Sequence, residues 1–361
     1  MKIGVNSRLY QNFETGIPKF IRGLYTYLQT FDTKNKYIFF QTSNFKKLGK
    51  TKIINLPQNI LTNILFDNFL INKLIKEERI DLFHGPSHII PLIKIGSVKY
   101  VTTIHDVHFL YKFSFNKFLF NIYYKNFVTY SIQKSDAIVV DSFNSKKDIC
   151  EFFKVDETKI KVIYPGVDDI FSKKNTDPRL FPNRYFLALT THPERKNIYR
   201  ILKIMHRYKK QFDNLKFIIA GFISKVEGIK LKKIIETLGL KNSVVVFGYA
   251  TKKQLANLYQ NAEFFVYPSY YEGFGFPVLE AMASGCPVIT SNTSSLPELM
   301  PNKDWLINPY DEKNIADKMI EILSLTRQER ERLVNKNFYF VKRFTWKKTA
   351  GEYLKVFNSL I

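Results

Sequence analysis

The stretch of sequence that decides the fold is residues 271–288, YEGFGFPVLEAMASGCPV. Gly273 and Gly275 allow the backbone to approach a ligand closely, because glycine has no side chain to hold a ligand away. Pro277 suits the first turn of a helix, where its missing N–H costs no hydrogen bond. A loop over 272–276 that leads into a helix N-terminus offers free N–H groups and a partial positive charge, which is typical of a phosphate site.

Two glutamates belong to this stretch. Glu280 lies about one turn into the predicted helix, where a carboxylate can accept hydrogen bonds from both hydroxyls of a ribose. Glu272 precedes the helix and is placed to reach a sugar hydroxyl. An isolated glutamate in either position is more often a helix cap or a solvated surface residue, so the neighbouring sequence has to decide between these interpretations.

The rest of the chain alternates short apolar segments with amphipathic helical ones, from a first strand at 2–5 onward. This βαβ rhythm predicts an α/β fold with parallel sheets covered on both faces. A segment rich in Pro, Asp, Asn and Lys at 164–182 interrupts it, and 361 residues are long for a single core. We therefore predict one Rossmann-like domain over 1–170 and a second over 171–343. The pattern over 327–361 is helical throughout.

Composition places the chain among globular proteins of a reducing compartment. Hydrophobic residues make up 45% of the sequence and charged residues 24%, which disfavours a disordered chain. The two cysteines, Cys150 and Cys286, cannot form a disulfide framework, and neither belongs to a metal-ligand pair. The first ten residues turn polar too early for a signal peptide. No run of about 18 apolar residues occurs, so we predict no membrane span.

The formal net charge of +23 allows three explanations: nucleic-acid binding, an anionic membrane surface, or a Lys-, Ile- and Asn-rich proteome. Lysines are spread along the whole chain rather than gathered in an arm, which disfavours nucleic acid. The compositional explanation is the simplest, and the membrane surface is the main alternative. Segment 111–130 interleaves aromatic residues with lysines and contains no acidic residue. It predicts either an interfacial surface or a buried aromatic helix with solvated lysines.

With these residues in view, 272–288 resembles the motif E-G-F-G-x-P-x-x-E-A-M-A-x-G-x-P-V of glycosyltransferase family 4, and the match has no gap. The resemblance implies a GT-B fold, in which two Rossmann-like doubly wound domains face a central cleft and a helix over 344–361 crosses back to the first. It also implies retaining transfer of a sugar from a nucleotide diphosphate donor. No Asp-x-Asp pair occurs, so we predict catalysis without a metal or other cofactor.

Further segments resemble the same family in the same order. Glu194–Asn197, predicted to begin a helix, resembles its Arg-Lys-Asn element. Adjacent cations at a helix start are unfavourable to the dipole, so a diphosphate should compensate them. The glycine that the family usually has just upstream is missing from 188–192. Phe247-Gly248-Tyr249 resembles the strand end that meets the nucleotide base. The predicted donor-binding residues are Gly16, Arg195, Lys196, Gly248, Tyr249, Gly273, Phe274, Gly275, Phe276 and Glu280.

The first domain carries the weaker matches. Thr15–Ile21 resembles the family's glycine loop, and Ile104-His105-Asp106 resembles its His-Asp element, whose histidine lies beside the transferred sugar. A lone histidine is more often structural, but the family context favours a functional role. His105 and Glu272 are therefore predicted to be catalytic, positioning the sugar rather than bonding to it, while the departing phosphate takes the acceptor proton. The residues predicted on the acceptor side are His84, His88 and Asp106.

The resulting prediction is a hexosyltransferase of cell-surface polysaccharide synthesis with GDP-mannose as the favoured donor. UDP- or dTDP-sugar donors are the alternative, and the acceptor is a glycan or a lipid-linked glycan. The expected location is the cytoplasm, with peripheral contact to the inner face of the membrane as the alternative. A nucleotide-sugar epimerase would lack the Glu-x7-Glu setting. A basic nucleic-acid-binding protein, from a different class, is disfavoured because no basic arm is present.

Overall fold

The computed structural model describes residues 1–10, 16–43, 47–57, 59–110 and 118–361, without the side chains of Ile60 and Phe118–Tyr123. The chain divides into two compact units. The first unit comprises Met1–Gly166 together with Phe344–Ile361, and the second comprises Val167–Arg343. Each unit contains one parallel sheet, so each has a carboxyl edge at which the loops that follow the strands gather.

The first unit is built on a seven-stranded sheet of parallel strands in the order β3-β2-β1-β4-β5-β6-β7. Its strands are β1 Lys2–Asn6, β2 Lys36–Gln41, β3 Thr51–Ile53, β4 Leu82–Gly85, β5 Lys99–Ile104, β6 Ala137–Val140 and β7 Ile160–Val162. Strand β6 is buried at every residue, as expected for an inner parallel strand that is covered on both faces.

Helices connect these strands and supply the core. They are α1 Gly16–Phe31, α2 Ile60–Leu65, α3 Ile71–Glu78, α4 Phe118–Lys134 and α5 Phe143–Phe153, with a π-helical turn at Phe66–Leu70 between α2 and α3. Helix α3 packs through Leu74 and Ile75 into a cluster with Phe83 of the sheet. Helices α4 and α5 pack through Val128 and Ile149 into a second cluster. Burial of these side chains is the main contribution to the stability of the unit.

The second unit has a six-stranded parallel sheet in the order β10-β9-β8-β11-β12-β13. Its strands are β8 Tyr185–Leu189, β9 Lys216–Ala220, β10 Val244–Gly248, β11 Phe265–Tyr267, β12 Val288–Ser291 and β13 Leu306–Ile307. Its helices are α6 Ile198–Arg207, α7 Lys225–Thr237, α8 Lys252–Asn261, α9 Phe276–Ala283, α10 Glu312–Ser324 and α11 Arg327–Val341. The Phe186 ring stacks on Phe217 at 4.6 Å and on Phe264 at 5.0 Å between centroids, which anchors this sheet in its core.

The last helix, α12 Trp346–Asn358, packs against α1 within the first unit. Two glycines make this packing possible. A Cβ at Gly23 would lie 2.2 Å from the Trp346 ring, and a Cβ at Gly166 would lie 2.1 Å from the Trp346 backbone nitrogen. Any larger residue at either position would push Trp346 out of its place, because real side chains do not approach so closely.

The predicted α/β fold with two Rossmann-like parallel sheets is confirmed. The helical pattern over 327–361 is wrong at Lys342–Thr345, where the chain leaves α11 and the Thr345 side chain caps α12. Strands β3 and β7 are not predicted, because each has a lysine at its centre and shows no apolar run. Within the described part of the chain, no helix has the combination of length and apolar character that a membrane crossing requires.

Candidate active site

The loop before α9 is held in place by two serines that follow β12. The backbone N–H of Glu272 donates to Ser294 Oγ at 2.9 Å. Ser295 Oγ donates to the carbonyl oxygens of Glu272 and Phe274, at 2.9 and 2.6 Å. Gly275 then turns the chain into α9 with φ at +121°, a conformation that favours glycine. The predicted loop and helix N-terminus are therefore present, and the loop conformation is fixed.

Glu272 is the centre of a buried ion cluster. Its carboxylate accepts a hydrogen bond from Lys196 Nζ, lies 3.4 Å from Arg195 Nη1, and accepts a bond of 2.5 Å from Ser269 Oγ. Burial raises the pKa of the Glu272 carboxyl, but the charges of Lys196 and Arg195 and the hydrogen bonds outweigh burial and hold the pKa below its ordinary value. Two cations therefore share one carboxylate. The sequence predicted these three residues for one site, and the structure brings them together.

The two cations are fixed by a turn rather than by a helix. The prediction that Glu194–Asn197 begins a helix is wrong, since these residues form a turn and α6 begins at Ile198. Asn197 has a left-handed backbone with φ at +59°, and its side-chain amide donates to the Pro309 carbonyl at 2.7 Å. The Tyr270 N–H donates to the Arg195 carbonyl at 3.1 Å. These bonds align the turn with the loop that carries Glu272.

Lys196 is almost wholly buried, which makes its charge a strong local feature. Its side chain lies over the Tyr267 ring, with Nζ 4.6 Å from the centroid, and also donates to the Tyr267 hydroxyl. Only 8% of the Lys196 side chain is exposed. A buried ammonium is costly unless it is paired, so Glu272 and Tyr267 are the compensation for holding it there.

Glu280 is buried on α9, with its carboxylate 3.5 Å from the Tyr259 hydroxyl. A buried carboxylate on the first two turns of a helix is not the solvated surface residue that an isolated glutamate would suggest.

Gly248 ends β10 with φ at +79°, and its carbonyl accepts a 2.7 Å bond from the Gly221 N–H. Tyr249, which follows it, is 41% exposed. Both lie at the carboxyl edge of the second sheet, where ligands of such sheets bind.

In the first unit, His105 has a partner on each ring nitrogen. Nδ1 lies 2.6 Å from Asp141 Oδ2, and Nε2 lies 2.9 Å from the Pro86 carbonyl oxygen. Burial lowers the pKa of His105, but the charge of Asp141 and the hydrogen bonds that the ring makes to Asp141 and to the Pro86 carbonyl raise it above its ordinary value. Burial raises the pKa of Asp141 above its ordinary value, although the charge of His105 acts to lower it.

The other histidines predicted in this unit are placed differently. His84 is fully buried between the Tyr25 hydroxyl at 2.5 Å and Thr103 Oγ1 at 2.7 Å, and burial lowers its pKa to about 3. His88 is also buried, with φ at +73°, and its ring lies 5.2 Å from that of His105. Burial and then the charge of His105 lower the pKa of His88 to about 3. The structure therefore brings His88 to His105, whereas His84 lies in the core.

Asp106 and Gly16 are the remaining predicted residues of the first unit. Asp106 Oδ1 lies 2.5 Å from His108 Nδ1 and accepts a hydrogen bond from the His108 N–H at 3.2 Å. Gly16 begins α1, and a Cβ there would meet no atom of another described element within 4 Å, while Thr15 lies outside the described residues. In the described part of the chain, no group of three or more His, Cys, Asp and Glu residues could hold a metal ion.

Comparison with known proteins places this chain in a family. Two family models match the chain in succession, Glycosyltransferase Family 4 over residues 46–170 and Glycosyl transferases group 1 over residues 178–340. The O-antigen chain mannosyltransferase RfbU of Salmonella typhimurium is 31% identical over 286 residues, which cover 75% of this chain and 76% of that protein. The chain belongs to glycosyltransferase family 4. It is therefore a glycosyltransferase.

The chain is also similar to a further relative and to a solved structure. The O-antigen chain mannosyltransferase B of Escherichia coli is 25% identical over 293 residues, covering 77% of this chain and 74% of that protein. The crystal structure of Anabaena Alr3699/HepE with UDP and glucose matches with a TM-score of 0.77 at 16% identity, covering 99% of this chain and 100% of that one. At this identity the likeness shows the fold alone, which is GT-B.

Sequence reasoning missed Asp141 in the first unit, and the Ser294–Ser295 pair and Tyr267 in the second. Asp141 follows β6 just as His105 follows β5, and these neighbouring strands pair with Ile104 opposite Val140. Residues that follow paired parallel strands emerge side by side, so the strand order would have pointed to Asp141. The two serines and Tyr267 carry no local pattern, and only the folded sheet places them beside Glu272.

Proposed function

We propose that the protein is a retaining hexosyltransferase that moves mannose from GDP-mannose to a glycan or lipid-linked glycan acceptor in cell-surface polysaccharide synthesis. The observation that carries the proposal is the cluster of Glu272, Arg195 and Lys196 at the loop before α9, with Glu280 buried in that helix. The preference for mannose rests on relatives named as O-antigen chain mannosyltransferases.

The charge of the cluster suits a diphosphate. Arg195 and Lys196 carry two positive charges and Glu272 carries one negative charge, which leaves a net positive charge. The N-terminus of α9 adds its partial positive charge and free N–H groups. A nucleoside diphosphate would be neutralised in part by these groups, with Arg195 as a forked donor and Lys196 as a point charge. In the same proposal Glu280 binds the ribose, and Gly248 with Tyr249 meets the base.

The same groups support transfer without a metal. A nucleoside diphosphate leaves easily once its developing charge is stabilised, and preorganised cations and backbone N–H groups do this at no cost in reorganisation. Glu272 would bind a hydroxyl of the transferred sugar, and His105 would help to position that sugar. We propose attack on the face from which the diphosphate departs, with a phosphate oxygen accepting the acceptor proton. This course retains the anomeric configuration and uses no nucleophile from the protein.

A second donor class has support of its own. The structural neighbour HepE of Anabaena was crystallised with UDP and glucose, so a UDP-sugar is the alternative donor within the same proposal.

Membrane contact through segment 111–130 stays a prediction. Residues 111–117 lie outside the described part, and beyond them Val128 is buried, Lys125 is exposed and the Tyr130 hydroxyl donates to the Leu92 carbonyl.

The test is a panel of GDP, UDP, dTDP and their sugars, scored by thermal shift and by slow hydrolysis. Ligand at about 100 times its Kd stabilises the folded protein by about 2.7 kcal/mol. We expect GDP and GDP-mannose to give the largest shift, and Glu280→Ala to abolish it with the fold intact. Arg195→Ala should weaken it, whereas Arg327→Ala, which removes an exposed cation paired with Glu331, should not. A panel without any shift would contradict the proposal.

A further inference from the structure

Asp141 is a buried carboxylate that the proposed mechanism does not use. Only 2% of its side chain is exposed, and Oδ2 lies 2.6 Å from His105 Nδ1. Its other oxygen, Oδ1, is buried without a hydrogen-bond partner among the described residues. The charge of this carboxylate is therefore compensated chiefly by the one histidine. A half-satisfied buried carboxylate is costly, which is expected where a group is retained for function rather than for stability.

The hydrogen-bond partners of His105 fix its protonation. The Pro86 carbonyl can only accept, so Nε2 donates to it, and an ionised Asp141 makes Nδ1 a donor as well. A histidine that donates from both nitrogens is an imidazolium. The edge of the ring also packs against Phe20, with 4.7 Å between centroids, and this contact with the two hydrogen bonds prevents the ring from turning.

We infer that Asp141 is a positioning residue that holds His105 as a fixed, doubly protonated imidazolium, so that His105 contributes a positive charge rather than a proton acceptor to glycosyl transfer. This inference rests on the proposed function, in which His105 acts on the transferred sugar. A fixed cation favours the departure of an anionic diphosphate. With both nitrogens donating within the protein, the ring has no lone pair for the acceptor proton, which therefore goes to the phosphate.

The surroundings of the pair agree with a single charged histidine. His88, in the loop after β4, lies 5.2 Å from His105, and the charge of His105 adds to burial in keeping the ring of His88 neutral. His84 on β4 is held neutral in the same way. The charge of Asp106 also acts to raise the pKa of His105. Tyr353 of α12 stays protonated, because burial and the charge of Asp141 raise its pKa.

The decisive variant is Asp141→Asn, which keeps the size of the side chain and removes the charge. We expect kcat at pH 7.5 to fall at least about tenfold, with KM for the donor changing less than about threefold, because the lost interaction acts in the transition state. Without the carboxylate, burial lowers the pKa of His105, so the ring becomes neutral near pH 7. Acidification should then restore part of kcat in the variant relative to the wild type, as the pH approaches the lowered pKa of His105.

A matched control is Asp148→Asn, which changes a buried carboxylate on α5 that bonds Asn144 rather than His105. It should keep the pH profile of the wild type. If Asp141→Asn lowers kcat equally at every pH, Asp141 is merely structural and the inference is overturned. Unchanged kcat at pH 7.5 would overturn it as well.

A second measurement is independent of turnover. Nitrogen-15 NMR of the wild-type protein, with the His105 signals assigned from His105→Gln, should show both ring nitrogens protonated at pH 7.5. In Asp141→Asn only one should be protonated. A neutral His105 in the wild type would overturn the inference whether or not the protein transfers a sugar. Failure to bind any nucleotide, with His105 charged, would instead remove the proposed function and leave the protonation result standing.

Discussion

The two units each bury a carboxylate beside a cation, and the two arrangements differ in charge. In the second unit Glu272 serves two permanent cations, Lys196 and Arg195, so the cluster keeps a net positive charge. In the first unit Asp141 serves one titratable cation, His105, and the pair is neutral as a whole. The Glu272 cluster can bind an anion through its net charge, whereas the Asp141–His105 pair can act on an anion only through the fixed position of the charged ring.

This difference also sets the pH range in which each unit responds. In the Glu272 cluster of the second unit, the pKa of Glu272 is held below its ordinary value of 4.5, so this carboxylate changes charge far from neutrality. The first unit buries His84 and His88 as neutral rings beside the charged His105. The strongly charged cluster therefore belongs to the second unit, and the pH-sensitive histidines belong to the first. The unfolding of each unit can be followed by its own tryptophan, since Trp305 lies in the second unit and Trp346 in the first.

The largest effect is expected where a permanent cation is removed. Lys196→Met leaves the buried Glu272 with Arg195 alone at 3.4 Å. Breaking a buried pair on one side costs about 3–5 kcal/mol when the remaining charge is uncompensated, and because Arg195 stays beside Glu272 we expect a loss of at most about 3 kcal/mol here. In a Trp346→Phe background, Trp305 fluorescence during urea unfolding reports this loss for the second unit. Nucleotide binding should also be lost.

The matched control is the double variant Lys196→Met with Glu272→Gln, which removes both charges. It should recover part of the stability, because Lys196 and Glu272 are removed together and Arg195 keeps its hydrogen bond to the Tyr271 carbonyl, while nucleotide binding stays lost. Equal destabilisation of the single and double variants would mean that Lys196 stabilises the unit by packing on Tyr267 rather than by its charge, and the contrast between the two clusters would fail.

The second effect is acid sensitivity of the first unit. Folded His84 and His88 have a pKa of about 3, whereas the unfolded residues titrate near 6.5. The unfolded state therefore binds more protons between these values, and stability falls as pH falls below 6.5, by about 2 kcal/mol per histidine at pH 5. Glu272 loses its contribution only below 4.5. In a Trp305→Phe background, Trp346 should report earlier acid unfolding of the first unit.

The control for this prediction is His88→Asn, because asparagine tolerates the left-handed backbone at φ +73° and does not titrate. It should remove about half of the acid effect. His192 of the second unit has a pKa lowered by burial, but its side chain is more than half exposed, so it adds little. Equal loss of stability in both units between pH 7 and 5 would contradict the prediction.

The sequence predicted the Glu272 cluster of the second unit far better than the Asp141–His105 pair of the first unit. Gly273, Gly275 and Pro277 are local signals for a loop and a helix start, and both glutamates of the motif lie within one continuous stretch. The sequence does not reveal the turn that orients Arg195, because adjacent cations show charge but not backbone geometry. Asp141 was missed for another physical reason. It lies far from His105 along the chain, and only the pairing of β5 with β6 makes them neighbours.

The smallest effect concerns His84 and tests whether that ring is structural. Tyr353 lies 2.8 Å from Thr103 Oγ1, which in turn bonds His84 Nε2. Tyr353→Phe removes one buried hydrogen bond and keeps the ring, so it should cost about 1 kcal/mol, seen as a lower urea midpoint of Trp346 fluorescence with an unchanged slope. We expect kcat to stay at the wild-type value. A fall in kcat without a loss of stability would instead place His84 on the acceptor side, because the bond would then serve a functional ring.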